Sequence, residues 1–247
     1  NYIPYLDLDF SDENGDFIEG KSTLGAMAVG VPGTIAGIFE AHKKFGTLSI
    51  EEILKPVIEL AKRGVIVTKK QENRIKNYQP LFLKANKDAI IFSEKWQEND
   101  TIKYPALAET LTRIQQNGKE EFYNGETAKR LVKFIQENGG IITLEDLSKY
   151  EAIWRTPVTF KYDDLKVISM SPPSSGGICL AQIMTAIEPF NLGEFGHNSA
   201  KSIQVITEAG RRAYADRSFY LGDPDFVNIP SSTLIDNAYL SGRMHDF

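Results

Sequence analysis

The sequence predicts an α-helix-rich α+β fold, and three observations favour it. Helix-forming stretches with recognisable starts and stops recur along most of the chain. Strand-like runs are few, at 5–20 and at 153–162 with 164–170. The chain has 247 residues, of which 42% are hydrophobic and 25% are charged. A globular chain of this length forms a sizeable core without disulfides or a metal. No repeat, linker or domain boundary is evident.

Composition excludes several classes of protein. The net charge of −5 argues against a general nucleic-acid binder. No run approaches 18 apolar residues, so no membrane-spanning helix is expected, and the first residues lack the pattern of a signal peptide. Cys179 is the single cysteine, which excludes an internal disulfide. His42, His197 and His245 lie far apart and form no HxxxH pair, so a histidine-rich metal site is not expected.

The first predicted element is a hairpin turn at Asn14-Gly15, because both residues tolerate positive φ. A calcium loop is the alternative interpretation, with Asp12, Asn14 and Asp16 as ligands. That loop requires glycine at its sixth position, where this chain has Phe17. The turn is therefore favoured.

A glycine-rich stretch at 24–37 leads into the first predicted helix, which Thr34 would cap and which would end at Phe45 before Gly46. A phosphate loop is the alternative for these glycines. Neither a Gly-Lys-Ser/Thr motif nor GxGxxG is present, so close packing of the backbone is the better explanation.

The next helix is predicted to begin at Ser49, which forms a capping box with Glu52, and to run to Arg63 before Gly64. Residues 62–103 then contain ten Lys or Arg against five Asp or Glu. A solvated helical surface explains this positive charge better than a basic binding patch does.

Three further helices follow. Pro105 begins the first, residues 126–137 form the second, and Thr143 with Asp146 begins a short third helix to about Tyr150. Apolar residues at helical spacing in the first two helices should form core faces. These residues are Leu107, Leu111, Ile114, Ala128, Leu131, Val132 and Ile135.

The last third of the chain should contain two strands around Asp163-Asp164, a helix at 178–188 and a long helix at 199–221. In the long helix, ion pairs are expected along the series Glu208, Arg212 and Asp216. Gly210 suggests close packing against that helix. Asp216 and Arg217 are expected to be structural.

The most unusual local sequence is the loop from Pro172 to Gly177. Ser174 or Ser175 can cap the helix that follows, and Gly176 and Gly177 allow a backbone or a ligand to approach closely. The loop does not match the GxSxG motif of serine hydrolases. Cys179 at the helix start is better explained as a buried small side chain than as a nucleophile. Spacing alone therefore reveals no chemistry.

Several stretches together resemble the large chain of the gamma-glutamyltranspeptidase family. Each is modest alone, but their order across residues 20–240 is specific. They are VPGTIAG at 31–37 with EAHKKFG at 40–46, PVIELA at 56–61, FYNG at 122–125, GGIITLEDL at 139–147, PPSSGG at 172–177, YADR at 214–217 and YLGDPDF at 220–226.

The resemblance implies an N-terminal-nucleophile hydrolase with an αββα core, of which this chain would be an internal, large-chain part of the precursor over residues 1–247. The precursor would cleave itself, and the new N-terminal threonine of the small chain would attack a γ-glutamyl amide such as glutathione. An arginine segment upstream and a Thr-Thr-His segment downstream of this chain are expected. No catalytic residue is therefore assigned here.

From the same resemblance we expect the small chain as partner, glutathione or another γ-glutamyl compound as substrate, and a periplasmic or secreted location. The resemblance implies no metal or organic cofactor. Ser174, Ser175, Gly176 and Gly177 are the candidate substrate-binding residues. The alternatives are a related acylase or capsule-processing transpeptidase and, from another class, a non-catalytic binding domain. A downstream Thr-Thr-His would support an enzyme. The chain alone is expected to be inactive.

Overall fold

The structure is a computed structural model that describes residues 11–16, 18–86 and 88–245. The chain divides into two units, residues 1–152 and 153–247, where the sequence had suggested no boundary. Helices predominate in each unit, and each described sheet is a two-stranded antiparallel pair. The α-helix-rich α+β character predicted from the sequence is therefore present.

Unit 1 contains helices around a core formed by α1, α5, α6 and α7 and a smaller core between α2 and α4. Its elements are α1 (Thr34–Phe45), α2 (Ile50–Arg63), β1 (Val65–Ile66), α3 (Lys69–Ala85), β2 (Thr101–Ile102), α4 (Pro105–Asn117), α5 (Lys119–Tyr123), α6 (Glu126–Glu137) and α7 (Leu144–Ser148).

Capping boxes mark the starts of α2, α3 and α7 in unit 1. The Ser49–Glu52 capping box is present at the start of α2, and Thr143 forms the same motif with Asp146 at α7. The basic stretch contains α3, which has no buried residue, as expected of a solvated helix. Thr68 and Gln71 form a capping box there that the sequence could have revealed through its Thr-x-x-Gln spacing.

The predicted cap of α1 is wrong. Thr34 is the first helical residue, and Gly33 holds the N-cap position without a side-chain hydrogen bond. A distant residue performs the capping, because the Tyr123 hydroxyl accepts from the Ala36 N–H at 3.1 Å and donates to the Pro32 carbonyl at 2.7 Å. A tertiary contact thus replaces the expected local one.

The predicted apolar stripes are correct with one exception. Ala128, Val132 and Ile135 are buried in α6, as Ile114 is in α4. Leu107 is 48% exposed, and Ala108 occupies the buried position beside it. The small alanine is buried where α4 packs on α2.

The turn at Asn14-Gly15 is present. Gly15 has φ of 84°, its N–H donates to the Asp12 carbonyl, and the Asp12 carboxylate accepts from the N–H groups of Asn14 and Asp16. The earlier part of the predicted hairpin, residues 5–10, and Phe17 lie outside the described residues.

Unit 2 combines one hairpin with helices. Its elements are β3 (Val158–Tyr162), β4 (Leu165–Ser169), α8 (Gly176–Ile187), α9 (Leu192–Phe195), α10 (Ala200–Tyr220), α11 (Ser231–Leu234) and α12 (Asn237–Arg243). The hairpin register pairs Val158 with Ser169 and Tyr162 with Leu165. A core of Val158, Ile178, Ala181 and Leu234 connects β3, α8 and α11.

Two predictions for unit 2 need correction. The first strand begins at Val158 instead of at residue 153, since Pro157 has no N–H for the ladder. The close packing inferred at Gly210 is absent from the described structure, where a Cβ built on this residue meets no atom within 4 Å. The predicted Glu208–Arg212 ion pair is present.

Candidate functional site

The candidate site is the loop of residues 170–175, which connects β4 to the first turn of α8. Pro172 is buried and is joined to Pro173 by a cis peptide bond. The Ser174 N–H donates to the Ser171 carbonyl at 3.2 Å, which makes the loop a tight turn. Helix α8 begins directly after it, at Gly176.

The two serines of this loop have different roles. The Ser174 hydroxyl accepts from the Gly176 N–H at 3.2 Å and so satisfies one free donor of the first helical turn. Ser175 holds the N-cap position, but its side chain does not cap the helix. Its hydroxyl instead accepts from Arg217 Nε at 3.0 Å. The predicted cap is therefore made by Ser174, and Ser175 connects the loop to α10.

The two glycines also differ. Gly177 is buried, and a Cβ at this position would lie 2.0 Å from the Met170 carbonyl oxygen. The chain before the loop therefore passes directly over Gly177, where only glycine fits. Gly176 is exposed, and a Cβ at that position would have the Ser174 hydroxyl oxygen as its nearest atom, at 3.3 Å. The close approach expected of these glycines is thus a backbone contact at Gly177.

Cys179 lies on α8, one turn from Ser175, and is 7% exposed. Burial raises the pKa of the Cys179 thiol, and the nearby Arg217 charge opposes that shift only in part. The thiol is therefore held in its neutral form, which is a poor nucleophile. This agrees with the prediction of a buried small side chain.

A cavity of about 660 Å³ lies beside the loop, entirely within unit 2. Pro172 forms part of its wall, together with the aromatic side chains of Trp154 and Phe226. Arg155 Nη2 lies 2.7 Å from Asp225 Oδ2 in an ion pair at the cavity. The sequence analysis missed this pair, because its members are 70 residues apart in the chain.

The sequence also does not reveal a buried cluster of polar side chains in unit 2. Asp216 is 6% exposed, and its carboxylate accepts from Gln182 and Tyr239 and pairs with Arg243. Burial and the adjacent carboxylate raise the pKa of Tyr239 to about 12, so this hydroxyl remains a donor at neutral pH. This geometry agrees with a structural role for Asp216.

The described residues contain no group of three or more His, Cys, Asp or Glu side chains placed to bind a metal ion. In the same part of the chain, no helix is both long and apolar enough to cross a bilayer. The His42 ring bonds to the Leu48 carbonyl, and the His197 ring bonds to the side chain of Asn198.

Comparison with known proteins places this architecture in a class. The chain superimposes on the crystal structure of Helicobacter pylori gamma-glutamyltranspeptidase with a TM-score of 0.90 and 39% sequence identity, covering 96% of this chain and 69% of that one. The fold is therefore an α-helix-rich portion of an N-terminal-nucleophile hydrolase. Residues 7–246 match the family model for gamma-glutamyltranspeptidase. The chain belongs to the gamma-glutamyltranspeptidase family.

Curated relatives agree with this assignment. The chain is 41% identical over 234 residues to the glutathione hydrolase proenzyme of Escherichia coli strain K12, covering 93% of this chain and 40% of that protein. It is 35% identical over 239 residues to the acylase ACY 1 proenzyme of Pseudomonas sp. strain V22, covering 94% of this chain and 43% of that protein. The chain thus spans about two fifths of the length of these curated relatives.

Proposed function

We propose that this chain is the large-chain part of a gamma-glutamyltranspeptidase, or glutathione hydrolase, that is made as a self-cleaving precursor. The main support is the family match over residues 7–246 together with 41% identity to a glutathione hydrolase proenzyme. Its partner would be the small chain of the same precursor, and its substrate glutathione or another γ-glutamyl compound.

The reaction would be acyl transfer. The hydroxyl oxygen of the small chain's first threonine forms a bond to the γ-carbonyl carbon, and the bond from that carbon to the leaving nitrogen breaks. The threonine's own amine takes the hydroxyl proton and returns it to the leaving amine. Water or an amino acid then attacks the ester, releasing glutamate or a new γ-glutamyl amide and restoring the threonine.

Within this proposal the residues of the candidate site divide by position. Gly177 serves packing, since the Met170 carbonyl lies against it. The partly accessible Ser174, Ser175 and Gly176 provide the substrate-facing side of the loop, beside a cationic group, Arg217. A substrate carboxylate is the chemical group that suits these N–H, hydroxyl and guanidinium donors.

Gly176→Ala in the full precursor tests this division. The exposed position should tolerate a methyl group, so we expect normal self-cleavage and stability with a raised KM for the γ-glutamyl donor. An unchanged KM would restrict the loop to packing.

The family resemblance also supports export to the periplasm or the cell exterior. Fractionation of cells that express the complete reading frame would test that location. Recovery of the protein with cytoplasmic markers would contradict it.

Activity assays of the complete reading frame test the main proposal. We expect the full precursor to cleave into two chains and to release the chromophore from a γ-glutamyl anilide, whereas residues 1–247 alone should show only background release. Hydrolysis of a different acyl amide with no γ-glutamyl activity would favour an acylase. A reading frame without a downstream Thr-Thr-His would support a binding domain instead.

A further inference from the structure

The polar cluster centred on Asp216 connects the long helix α10 to the small helix α12. The Oδ2 atom of Asp216 accepts from Gln182 Nε2 at 2.9 Å and from the Tyr239 hydroxyl at 2.9 Å. The Oδ1 atom lies 3.0 Å from Arg243 Nη2. One buried carboxylate therefore holds one residue of α8 and two residues of α12.

A second set of contacts repeats this connection. Arg212 Nε donates to the Arg243 carbonyl at 2.6 Å, which ties the last residue of α12 to α10 through its backbone. Gln182 Nε2 also donates to the Leu234 carbonyl at 3.0 Å, in the helix that precedes α12. Both bonds reach backbone carbonyls, so they constrain the path of the chain as well as its side chains.

The start of α12 also has a local cap. The Asp236 carboxylate caps α12 locally, accepting from the N–H groups of Ala238 and Tyr239 at 2.9 and 3.1 Å. Leu240 is the buried residue of α12. Tyr239 is partly buried against the core of β3, α8 and α11. Two apolar contacts on a helix of seven residues fix its orientation only loosely. The Asp216 cluster supplies directional bonds in place of apolar area.

We infer that Asp216, with Gln182, Tyr239 and Arg243, is a positioning cluster that orients α12 and the chain that follows it for self-cleavage. This inference rests on the proposed function, under which cleavage occurs downstream of α12. Cleavage adds one water across one peptide bond, leaving a carboxylate on the large chain and an amine on the small chain. Such a reaction depends on alignment, since a displacement of about 1 Å can slow a reaction about 100-fold.

The test compares three variants of the full precursor with the wild type. Asp216→Asn removes the charge and presents an amide to three donor groups. Tyr239→Phe removes a single hydrogen bond. Asp164→Asn is the matched control, because it makes the same chemical change in the same unit, at an exposed carboxylate in the turn between β3 and β4.

The measurements are the rate of appearance of the two chains by electrophoresis, amide hydrogen exchange in 237–243, and kcat/KM per cleaved molecule with a γ-glutamyl anilide. We expect Asp216→Asn to cleave about tenfold more slowly and Tyr239→Phe about threefold more slowly, with faster exchange in α12. We expect kcat/KM per cleaved molecule to stay within about twofold of the wild type in every variant. The cleavage rate of the control variant should also stay within about twofold of the wild type. A role in overall stability alone would not slow cleavage well below the melting temperature.

Wild-type cleavage rates in a folded Asp216→Asn protein would overturn the inference and leave the proposed function intact. If Asp216→Asn does not fold, Tyr239→Phe decides, and a wild-type cleavage rate in that variant would likewise overturn it. A wild-type precursor that neither cleaves nor hydrolyses the anilide would overturn the proposed function, and the inference with it.

Discussion

The hydrogen bonds that stabilise helices span different distances along the sequence in the two units. In unit 1, capping boxes at Ser49, Thr68 and Thr143 each use a partner three residues further along. In unit 2, the Asp216 carboxylate binds Gln182 and Tyr239, which are 34 and 23 residues away in the sequence. Local caps begin helices in both units, including α10 and α12, but in unit 2 a buried carboxylate also joins three helices.

This difference indicates where each unit should be sensitive to substitution. A local cap affects one helix end, and its loss is partly compensated by water. A buried polar cluster or a backbone contact has no such substitute, because water cannot reach it without moving the surrounding elements. Substitutions in unit 2 should therefore produce larger losses of stability than comparable ones at the caps of unit 1.

The largest effect is expected for Gly177→Ala. The added methyl group would lie 2.0 Å from the Met170 carbonyl oxygen, so the chain before α8 must move. We expect a loss of about 3 kcal/mol in the free energy of unfolding, measured by urea denaturation. A loss below about 0.5 kcal/mol would show that the loop adjusts freely and would remove the contrast between the units.

The second prediction concerns pH and the Tyr239 hydroxyl. Its pKa is raised from 10.0 to about 12 in the folded state, so between these values the unfolded chain releases a proton that the folded chain retains. Stability should therefore fall as the pH rises through this window, by up to about 2 kcal/mol. Urea denaturation at several alkaline pH values would measure this fall. The same series on Tyr239→Phe should show a shallower slope, and identical slopes would contradict the prediction.

The third prediction tests the exception in unit 1, where Tyr123 caps α1 from a distance. Tyr123→Phe removes the acceptor for the Ala36 N–H and the donor to the Pro32 carbonyl. Tyr123 is 1% exposed, so these groups have little access to water. We expect a loss of about 2 kcal/mol in unfolding free energy. If this loss is no greater than the loss for a local cap such as Ser49, a cap from a distant residue stabilises the helix no more than a local one does.

The fourth prediction sets the scale for local caps. Ser49→Ala removes the hydroxyl that accepts from the Glu52 N–H at the exposed start of α2. We expect a loss of about 1 kcal/mol, measured in the same denaturation assay. Ser49→Thr, which keeps the hydroxyl that accepts from the Glu52 N–H and donates to the Glu52 carboxylate, is the control and should remain close to the wild type.

The smallest effect should be favourable. Gly210 lies within α10, and an added Cβ meets no atom within 4 Å in the described structure. Gly210→Ala should therefore raise the unfolding free energy by about 0.5–1 kcal/mol, because alanine favours the helix. A decrease in the isolated chain would indicate a contact that this structure does not contain. Together with Gly177→Ala, this variant separates two helical glycines that the sequence does not distinguish.

The comparison also shows how far the sequence predicts this protein. The apolar spacing of α6 and the glycines at 139–140 that follow it predict its extent, and both Glu126 and Glu137 are correctly placed. The capping boxes at Ser49 and Thr143 were equally predictable. The resemblance to the gamma-glutamyltranspeptidase family was predictable too, because its motifs are short stretches with a set order along the chain.

The candidate site was predicted only in part. A tight loop with an N-terminal cap on α8 followed from Pro172 to Gly177, but the assignment of the cap to Ser174 and the bond from Arg217 to Ser175 did not. Nor did the difference between Gly176, which is exposed, and Gly177, which lies against the Met170 carbonyl. Adjacent residues of the same type give the same prediction from local sequence. Only the path of the neighbouring chain gives them different contacts.

The sequence by itself thus determined the helix-rich composition, most helix limits and the family. These depend on hydrogen bonds and apolar spacing within a few residues, which the order of amino acids specifies directly. The tertiary structure decided that Tyr123 caps α1 and that Asp216 connects α8, α10 and α12. A buried polar group binds whichever donors the packing of helices brings within about 3 Å, and that choice depends on the whole fold.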